Sequence, residues 1–195
     1  MSKGLLVVVS APAGCGKDTV LDLLNRECEN VHRSVSATTR QIREGEKDGL
    51  DYFFVNHGRF KEMLLNNELL EHAEYVGNYY GTPKAAVYEK LDAGLDVVLK
   101  IEVEGAENIR KLIPECVLIF ILPPSFDELE RRLRERGTED EFAITNRIRR
   151  AKEELNEVPK YDYAVVNDDL TQAAENIKAI IRAEKCSTKR EIHAL

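Results

Sequence analysis

The stretch SAPAGCGKDT at residues 10–19 decides the fold class of this chain. It follows the apolar run LLVVV at residues 5–9, which is typical of a strand buried on both faces. A helix is expected over residues 17–26, because apolar residues recur there at helical spacing. A strand, a glycine-rich turn and a helix N-terminus in this order can surround a phosphate with backbone N–H groups. We therefore predict a phosphate-binding loop, and an ordinary glycine-containing turn is the weaker alternative.

Two positions depart from the usual motif of Gly, four free residues, Gly, Lys and then Ser or Thr. Ala11 replaces the first glycine, and Asp18 replaces the hydroxyl residue. We expect the loop to tolerate Ala11 if its φ stays negative. Asp18 is the more serious change, because the hydroxyl usually binds Mg²⁺ and a carboxylate adds negative charge beside the phosphates. Thr19 is no simple substitute, since successive helical side chains point about 100° apart.

The composition limits the kind of protein that this chain can form. A length of 195 residues suits one α/β domain with insertions. The formal net charge of −7 argues against a long nucleic-acid polymer as partner, because such binding depends on a broad positive potential. No apolar stretch approaches the ~18 residues of a membrane span. The four cysteines lie far apart without a CxxC pair, which favours reduced thiols in a cytoplasmic protein over a disulfide or zinc framework.

The apolar patterns alternate between strands and helices along the chain. Strands are predicted at residues 51–55, 95–103, 116–122 and 163–166, and helices at residues 59–66, 84–92, 106–112, 126–136, 139–156 and 169–185. This alternation indicates an α/β fold with a mainly parallel central sheet. Residues 34–82 are more polar and turn-rich, so they are predicted to form an insertion beside the main sheet. Residues 188–195 are expected to fray.

Four further blocks carry a family resemblance when they are combined with the loop at residues 10–19. They are SVSATTRQIREGEKDGLDY at residues 34–52, NNELLEHAEYVGNYYGT at residues 66–82, RRLRERGTEDE at residues 131–141 and VVNDDL at residues 165–170. In this order the chain resembles the guanylate kinase family over residues 5–185. The resemblance implies Mg²⁺-dependent transfer of the γ-phosphoryl group of ATP to GMP, and to dGMP. The oligomeric state, monomer or homodimer, stays open.

The resemblance also implies a domain layout. It predicts a three-layer P-loop NTPase fold whose core comprises residues 1–33, 83–125 and 151–187. An inserted GMP-binding subdomain is expected at residues 34–82, and a helical lid at residues 126–150.

The residues of the insertion make chemical sense for a nucleoside monophosphate. Arg40 and Arg43 lie three residues apart and can form a forked clamp for a phosphate dianion. Tyr52 and Tyr80 can add hydroxyl donors, and by resemblance all four bind the phosphate of GMP. Without the family spacing, such charges on a turn-rich surface are usually only solvated.

The base is expected to be read by one carboxylate and two hydroxyls. Guanine presents N1–H and an amino group beside its O6 acceptor, and the matching residues are Glu71, Ser36 and Thr82. Adenine would leave buried groups unpaired at roughly 1 to 3 kcal/mol each, so we expect a strong preference for GMP over AMP. Glu102 is also expected to bind GMP by resemblance.

The resemblance assigns the donor site to the loop and the lid. The residues expected to bind ATP are Ala13, Gly14, Cys15, Gly16, Lys17, Asp18, Thr19, Arg136 and Asn167. The residues expected to act in catalysis are Lys17, Arg43, Arg132 and Arg147, because arginines that close over the triphosphate neutralise charge in the transition state. Arg149 and Arg150 have no counterpart in the family pattern and are expected to be surface charges.

A second departure lies in KIEVEG at residues 100–105. Lys100 stands where the family usually has an acid, and Glu102 stands where it has Asp. We hypothesise that Asp18 and Lys100 form a reciprocal pair, in which Asp18 supplies an oxygen to Mg²⁺, directly or through water, and Lys100 balances its charge. Two alternatives stay open: Lys100 could hold Asp18 so tightly that it displaces the metal, or the substitutions are unrelated.

Two other functions also stay open. One is a kinase for another phosphorylated acceptor such as a ribose phosphate, although Glu71, Ser36 and Thr82 would then lack a common target. The other is a binding module that has lost turnover. Gly14, Gly16 and Lys17 argue against such a module, because these modules typically lack a working phosphate loop, whereas Asp18 and Lys100 keep it open.

Overall fold

A computed structural model describes residues 3–75, 77–135 and 141–188. In chain order, its elements are β1 (Leu6–Ser10), α1 (Lys17–Glu27), β2 (Val31–Arg33), β3 (Ala37–Thr38), β4 (Phe53–Phe54), α2 (His57–Leu65), β5 (Leu69–Tyr75), β6 (Asn78–Pro83), α3 (Lys84–Asp92), β7 (Asp96–Lys100), α4 (Val103–Leu112), β8 (Val117–Leu122), α5 (Phe126–Glu135), α6 (Glu141–Leu155), a 3₁₀ turn (Val158–Lys160), β9 (Tyr163–Val166) and α7 (Leu170–Lys185). Within the described ranges, no helix is both long and apolar enough to cross a membrane.

In the described part of the chain, the central sheet has five strands in the order β2-β7-β1-β8-β9, and all neighbouring strands are parallel. In this register Val9 of β1 lies between Lys100 of β7 and Ile119 of β8. The carboxyl ends of parallel strands meet at one edge, where ligands bind in open α/β sheets. The loop after β1, Lys100 at the end of β7 and Asn167 after β9 therefore come together there. The predicted α/β fold with a mainly parallel sheet is confirmed.

Helices cover both faces of this sheet. Alternate residues of β1 point to opposite sides, so Val7 and Val9 pack with α1 and α7, while Leu6 and Val8 pack with α3 and α4. Every residue of β1 is buried, as expected for a strand between two helical layers. The result is the predicted arrangement of three layers.

Residues 37–83 contribute a second, four-stranded sheet in the order β4-β3-β6-β5. Strands β3 and β4 are parallel, and the other two pairs are antiparallel. Ala37, Phe60, Met63 and Leu69 form a separate small core against this sheet. The predicted short strands are therefore present, but the one expected at residues 51–55 is only Phe53–Phe54.

One boundary was predicted wrongly at the edge that carries the site. The strand expected at residues 95–103 ends at Lys100, and α4 begins at Val103 instead of residue 106. Glu102 has extended backbone angles as the N-cap of α4. Val103 and Gly105 in the first turn of α4 have low helix propensity, so the sequence pattern did not predict this turn. The predicted helix ends at residues 136 and 139, and residues 189–195 of the expected frayed tail, lie outside the described residues.

Candidate functional site

The loop between β1 and α1 is shaped by glycines with positive φ. Gly14 has φ +90° and Gly16 has φ +75°, a region that other residues rarely adopt. Gly16 is the N-cap of α1 and offers no side-chain acceptor, so the first N–H groups of the helix face an incoming anion. Ala11 keeps a negative φ as expected, because among the described non-glycine residues only Asn67 has a positive one.

The loop is held from two sides. Asn167, at the end of β9, donates from Nδ2 to the carbonyl oxygen of Cys15 at 2.8 Å, and both residues are buried. A Cβ on Gly16 would lie 2.5 Å from that Nδ2 atom, so the clamp requires glycine there. Leu129 and Leu133 of α5 face inward, as predicted, and contact Gly14 from the other side.

Cys15 and Arg132 lie close to this clamp. Burial raises the pKa of the Cys15 thiol to about 12, so it stays protonated and acts as a small packing group. Arg132 donates from Nε to Glu128 at 2.7 Å and from Nη1 to the Asn167 carbonyl oxygen at 3.5 Å. Helix α5 is thereby connected to the strand end that positions the loop.

Two cavities meet at this edge of the sheet. One, of about 870 Å³, lies between the central sheet and the four-stranded sheet, and the other, of about 220 Å³, surrounds the loop. They share the walls Lys17, Asp18, Tyr75, Glu102 and Arg147. A ligand in one cavity would therefore lie next to a ligand in the other.

The structure brings together most of the residues predicted for the site. The larger cavity is lined by Lys17, Asp18, Ser36, Arg40, Arg43, Tyr52, Glu71, Tyr80, Glu102 and Arg147, and the smaller one by Ala13, Gly14, Gly16, Lys17, Asp18, Thr19, Glu102 and Arg147. Cys15, Thr82, Arg132 and Asn167 contact these walls or the loop without lining a cavity themselves. Arg136 lies outside the described residues.

Glu71 is a buried carboxylate at the larger cavity, with 7% of its surface exposed. Thr82 donates from its hydroxyl to Oε1 of Glu71 at 2.6 Å. A Cβ on Gly105 would lie 2.9 Å from Oε2, so this glycine leaves room for the carboxylate. Burial raises the pKa of Glu71, although the Thr82 hydrogen bond opposes the change.

Arg40 is held by a carboxylate that sequence reasoning missed. It donates to Oε1 of Glu46 and to the carbonyl oxygen of Gln41, both at 2.7 Å, and its guanidinium lies 5.4 Å from the ring centre of Tyr52. The other oxygen of Glu46 accepts from the backbone N–H of Arg43 at 2.8 Å. Glu46 therefore fixes the turn that carries both arginines. The only sequence signal was an acid in the same short turn.

Asp18 and Lys100 form the ion pair expected from their reciprocal substitution. Lys100 Nζ lies 2.6 Å from Asp18 Oδ1 and 5.4 Å from the ring centre of Tyr52. Desolvation would raise the pKa of Asp18, but Lys100, Lys17 and Arg33 together hold it below its usual value. The Asp18 side chain is 65% exposed, whereas that of Lys100 is 21% exposed.

The carboxylates of the site include one that is placed to contact a metal ion. No cluster of three or more His, Cys, Asp or Glu residues that could hold a metal occurs within residues 3–75, 77–135 and 141–188. Mg²⁺ commonly takes only one or two carboxylates together with substrate phosphates and water. Exposed Asp18, next to Lys17 on the loop cavity, fits a Mg²⁺ ion of that kind.

Arg150 is exposed, as expected for a surface charge, with 47% of its side chain accessible to solvent, but it also contacts the site. It lines the loop cavity, donates from Nε to Glu154 at 2.8 Å, and lies 4.5 Å from the ring centre of Tyr75. Tyr75 and Glu154 were not predicted either. Arg149 is exposed as expected and lines neither cavity.

Comparisons with known proteins show the family of this chain. The sequence profile of the guanylate kinase family matches residues 3–184. A guanylate kinase of Halalkalibacterium halodurans is 52% identical over 190 residues, which cover 97% of this chain and 93% of that protein. A guanylate kinase of Desulfitobacterium hafniense is 49% identical over 188 residues, with coverages of 96% and 94%.

A similar solved structure extends the match to three dimensions. The crystal structure of guanylate kinase from Anaplasma phagocytophilum superimposes with a TM-score of 0.83 at 37% identity, covering 99% of this chain and 92% of that one. The family profile, the relatives and the fold all agree over nearly the whole length, and this chain belongs to the guanylate kinase family.

Proposed function

We propose that this protein transfers the γ-phosphoryl group of ATP to GMP, giving ADP and GDP. The observation that carries this proposal is the buried Glu71, paired with Thr82, in a cavity that is continuous with the phosphate-binding loop. Glu71 is a base-reading group, Lys17 is a phosphate-binding group, and shared walls join their cavities.

The acceptor is bound from both ends. Ionised Glu71 accepts protons from N1–H and the amino group of guanine, while Ser36 and Thr82 complete the polar edge. Arg40, Arg43, Tyr52 and Tyr80 bind the phosphate. Glu46 holds Arg40 before the ligand arrives, so less side-chain entropy is lost on binding. Glu102 lies 3.4 Å from Lys17, where both substrates would approach each other.

The donor is bound mainly by backbone. The N–H groups of residues 13–19 surround the phosphates, Lys17 reaches the outer ones, and Asn167 keeps the loop in shape. Arg132, Arg136 and Arg147 close over the triphosphate, neutralise its charge and exclude water. No covalent nucleophile is required, because the anionic phosphate of GMP attacks the γ-phosphorus in line.

Asp18 is the residue that would contact Mg²⁺. The ion would neutralise charge on the phosphates of ATP when it is bound there. Lys100 binds one oxygen of Asp18 and balances its charge, so the pair keeps a carboxylate near the phosphates without adding net negative charge. The alternative, in which Lys100 competes with the metal, predicts a weaker dependence of the rate on Mg²⁺.

This function implies the domain layout given by the family resemblance. Residues 34–82 are the GMP-binding subdomain, residues 126–150 are the lid, and residues 1–33, 83–125 and 151–187 form the core. We further propose that the enzyme is cytoplasmic and acts as a monomer or homodimer. The cytoplasmic location is supported by the four cysteines, which all lie within the described ranges and form no disulfide there.

An acceptor panel tests the proposed function directly. GMP, dGMP, AMP, UMP and ribose phosphates are each supplied with ATP and Mg²⁺, and release of ADP is measured. We expect turnover with GMP and dGMP, and at least about a hundredfold lower kcat/KM with AMP, because adenine leaves buried polar groups unpaired. Equal rates with AMP, or faster turnover of a ribose phosphate, would contradict the assignment. Binding of ATP and GMP without turnover would indicate a binding module.

A further inference from the structure

Arg150 is a cation at the loop cavity that the proposed mechanism does not use. It lies on α6 three residues after Arg147, so the two side chains emerge from the same side of that helix. Both line the cavity of about 220 Å³ that contains the loop glycines. A ligand bound to the loop would therefore meet both guanidinium groups.

Two neighbours fix the position of Arg150. Glu154, one turn further along α6, accepts a hydrogen bond from Nε at 2.8 Å and is only 9% exposed. The ring of Tyr75 lies 4.5 Å from the guanidinium carbon, a distance at which a cation is attracted to an aromatic face. Among the described residues, none accepts a hydrogen bond from the two terminal nitrogens of Arg150. Those nitrogens therefore remain available to an anion.

The surrounding charges support the same interpretation. Glu154 and Glu102 both belong to the wall of the loop cavity, and either carboxylate would repel a polyphosphate. Glu154 is only 9% exposed, so its charge is poorly solvated; this burial raises its pKa, and the Arg150 hydrogen bond opposes the change. Arg150 thus compensates a buried carboxylate next to the place where phosphates would lie.

Tyr75 connects Arg150 to the acceptor side. It is the last residue of β5, the strand that carries Glu71, and it lines both cavities. A surface ion pair with Glu154 would not need this third partner. The Tyr75 ring therefore holds the guanidinium of Arg150 next to a wall that the two cavities share.

We propose that Arg150 binds a phosphate oxygen of the donor nucleotide through its terminal N–H groups, while Glu154 and Tyr75 hold the guanidinium in place. The inference rests on the proposed function only for the identity of the nucleoside triphosphate. It adds a cation beyond the arginines that the family resemblance assigns.

Direct binding of ATP and of GMP, measured by calorimetry, tests this proposal without relying on turnover. Arg150→Gln is compared with Arg149→Gln, which removes an arginine of the same helix that lines neither cavity. We expect Arg150→Gln to weaken ATP binding by about tenfold or more, because a charge-assisted hydrogen bond is lost, and to leave GMP binding unchanged. Arg149→Gln is expected to bind ATP like the wild type, and Arg150→Lys to recover part of the loss, because it keeps the charge without the fork.

Two additional measurements separate phosphate binding from a structural role. The slope of log affinity for ATP against log salt concentration is expected to be smaller in Arg150→Gln, because one ionic contact is missing. Tyr75→Phe retains the ring and is expected to bind ATP more tightly than Tyr75→Leu. Unchanged ATP binding in Arg150→Gln would overturn the proposal, and so would an equal loss of GMP and ATP binding.

The outcomes also distinguish this inference from the proposed function. If wild-type protein phosphorylates GMP but Arg150→Gln binds ATP normally, only the inference fails. If GMP is no substrate but Arg150→Gln still weakens ATP binding selectively, the proposed function fails and the inference stands.

Discussion

The two cavities are built in different ways. The loop cavity depends on backbone geometry, with Gly14 and Gly16 at positive φ and Asn167 bonded to a main-chain carbonyl. The larger cavity depends on paired side chains, of which Glu71 with Thr82 is the most deeply buried. A backbone-built site can tolerate changed side chains as long as its φ angles are kept. This explains why both departures from the phosphate-loop motif, at residues 11 and 18, leave the loop intact.

Gly16→Ala is expected to cause the largest effect, because it changes the backbone-built site at its most confined point. The new Cβ would lie 2.5 Å from Nδ2 of Asn167 at a φ of +75°, so the loop must shift. We expect kcat/KM for ATP to fall about a hundredfold or more, as a displacement of about 1 Å in a positioned group can do. Steady-state kinetics with varied ATP measures the effect.

Gly77→Ala is the matched control for that substitution. Gly77 has φ +70°, but a Cβ there would meet no atom within 4 Å. This variant carries the backbone strain of about 1–2 kcal/mol without the clash. If it lost as much kcat/KM as Gly16→Ala, strain alone would explain the loss, and the clamp by Asn167 would be irrelevant.

Glu71→Gln tests the side-chain-built site. The amide keeps an oxygen that can accept the Thr82 hydrogen bond, but it cannot accept two guanine protons. We expect KM for GMP to rise about tenfold or more while KM for ATP stays unchanged. Glu74→Gln, an exposed change on the same strand, is expected to leave both constants unchanged. Equal KM values for GMP in wild type and Glu71→Gln would show that another group reads the base.

The contrast between the cavities also explains what the sequence could predict. Motifs whose residues are local were found correctly, including the loop glycines and the inward side of α5 with Leu129 and Leu133. The pairing of Asp18 with Lys100 was predictable because two substitutions compensate each other in charge.

Contacts between distant elements were not predictable in the same way. Arg150 and Tyr75 lie on a helix and a strand from different parts of the chain, and no spacing rule connects them. Asn167 was expected near adenine by resemblance, whereas its contact with Cys15 depends on strand order in the sheet. Such contacts follow from three-dimensional packing.

The raised pKa of Glu71 predicts a pH dependence of GMP binding. The native protein keeps the Glu71 proton to a higher pH than the unfolded chain does, because burial disfavours the carboxylate. Affinity for GMP is therefore expected to fall, by up to about tenfold per pH unit, as the pH drops below this raised pKa. Because the folded protein binds this proton more tightly than the unfolded chain does, Glu71 adds less to the free energy of unfolding at higher pH. This decrease is expected between the usual pKa of glutamate and the raised pKa of Glu71.

Calorimetric titration of GMP across pH values checks this prediction in wild type and in Glu71→Gln. Both proteins share the titration of the GMP phosphate itself, so the difference between the two profiles isolates Glu71. Identical profiles would mean that the carboxylate does not titrate in the binding reaction.

Substitutions in the Asp18–Lys100 pair are expected to have the smallest effect. Asp18 belongs to the loop cavity, whose shape depends on backbone geometry, and its side chain is largely exposed. Screening by solvent limits the contribution of such a pair to stability to about 0.5 kcal/mol. For catalysis we expect Asp18→Ser and Lys100→Asp each to lower the Mg²⁺-dependent rate severalfold. The double variant is expected to recover part of the loss, because it restores an acid on β7 and a hydroxyl on the loop. Rates are measured against Mg²⁺ concentration in all four proteins. Additive effects would mean that the two substitutions are independent. A faster rate in Asp18→Ser than in the wild type would mean that Lys100 competes with the metal for Asp18.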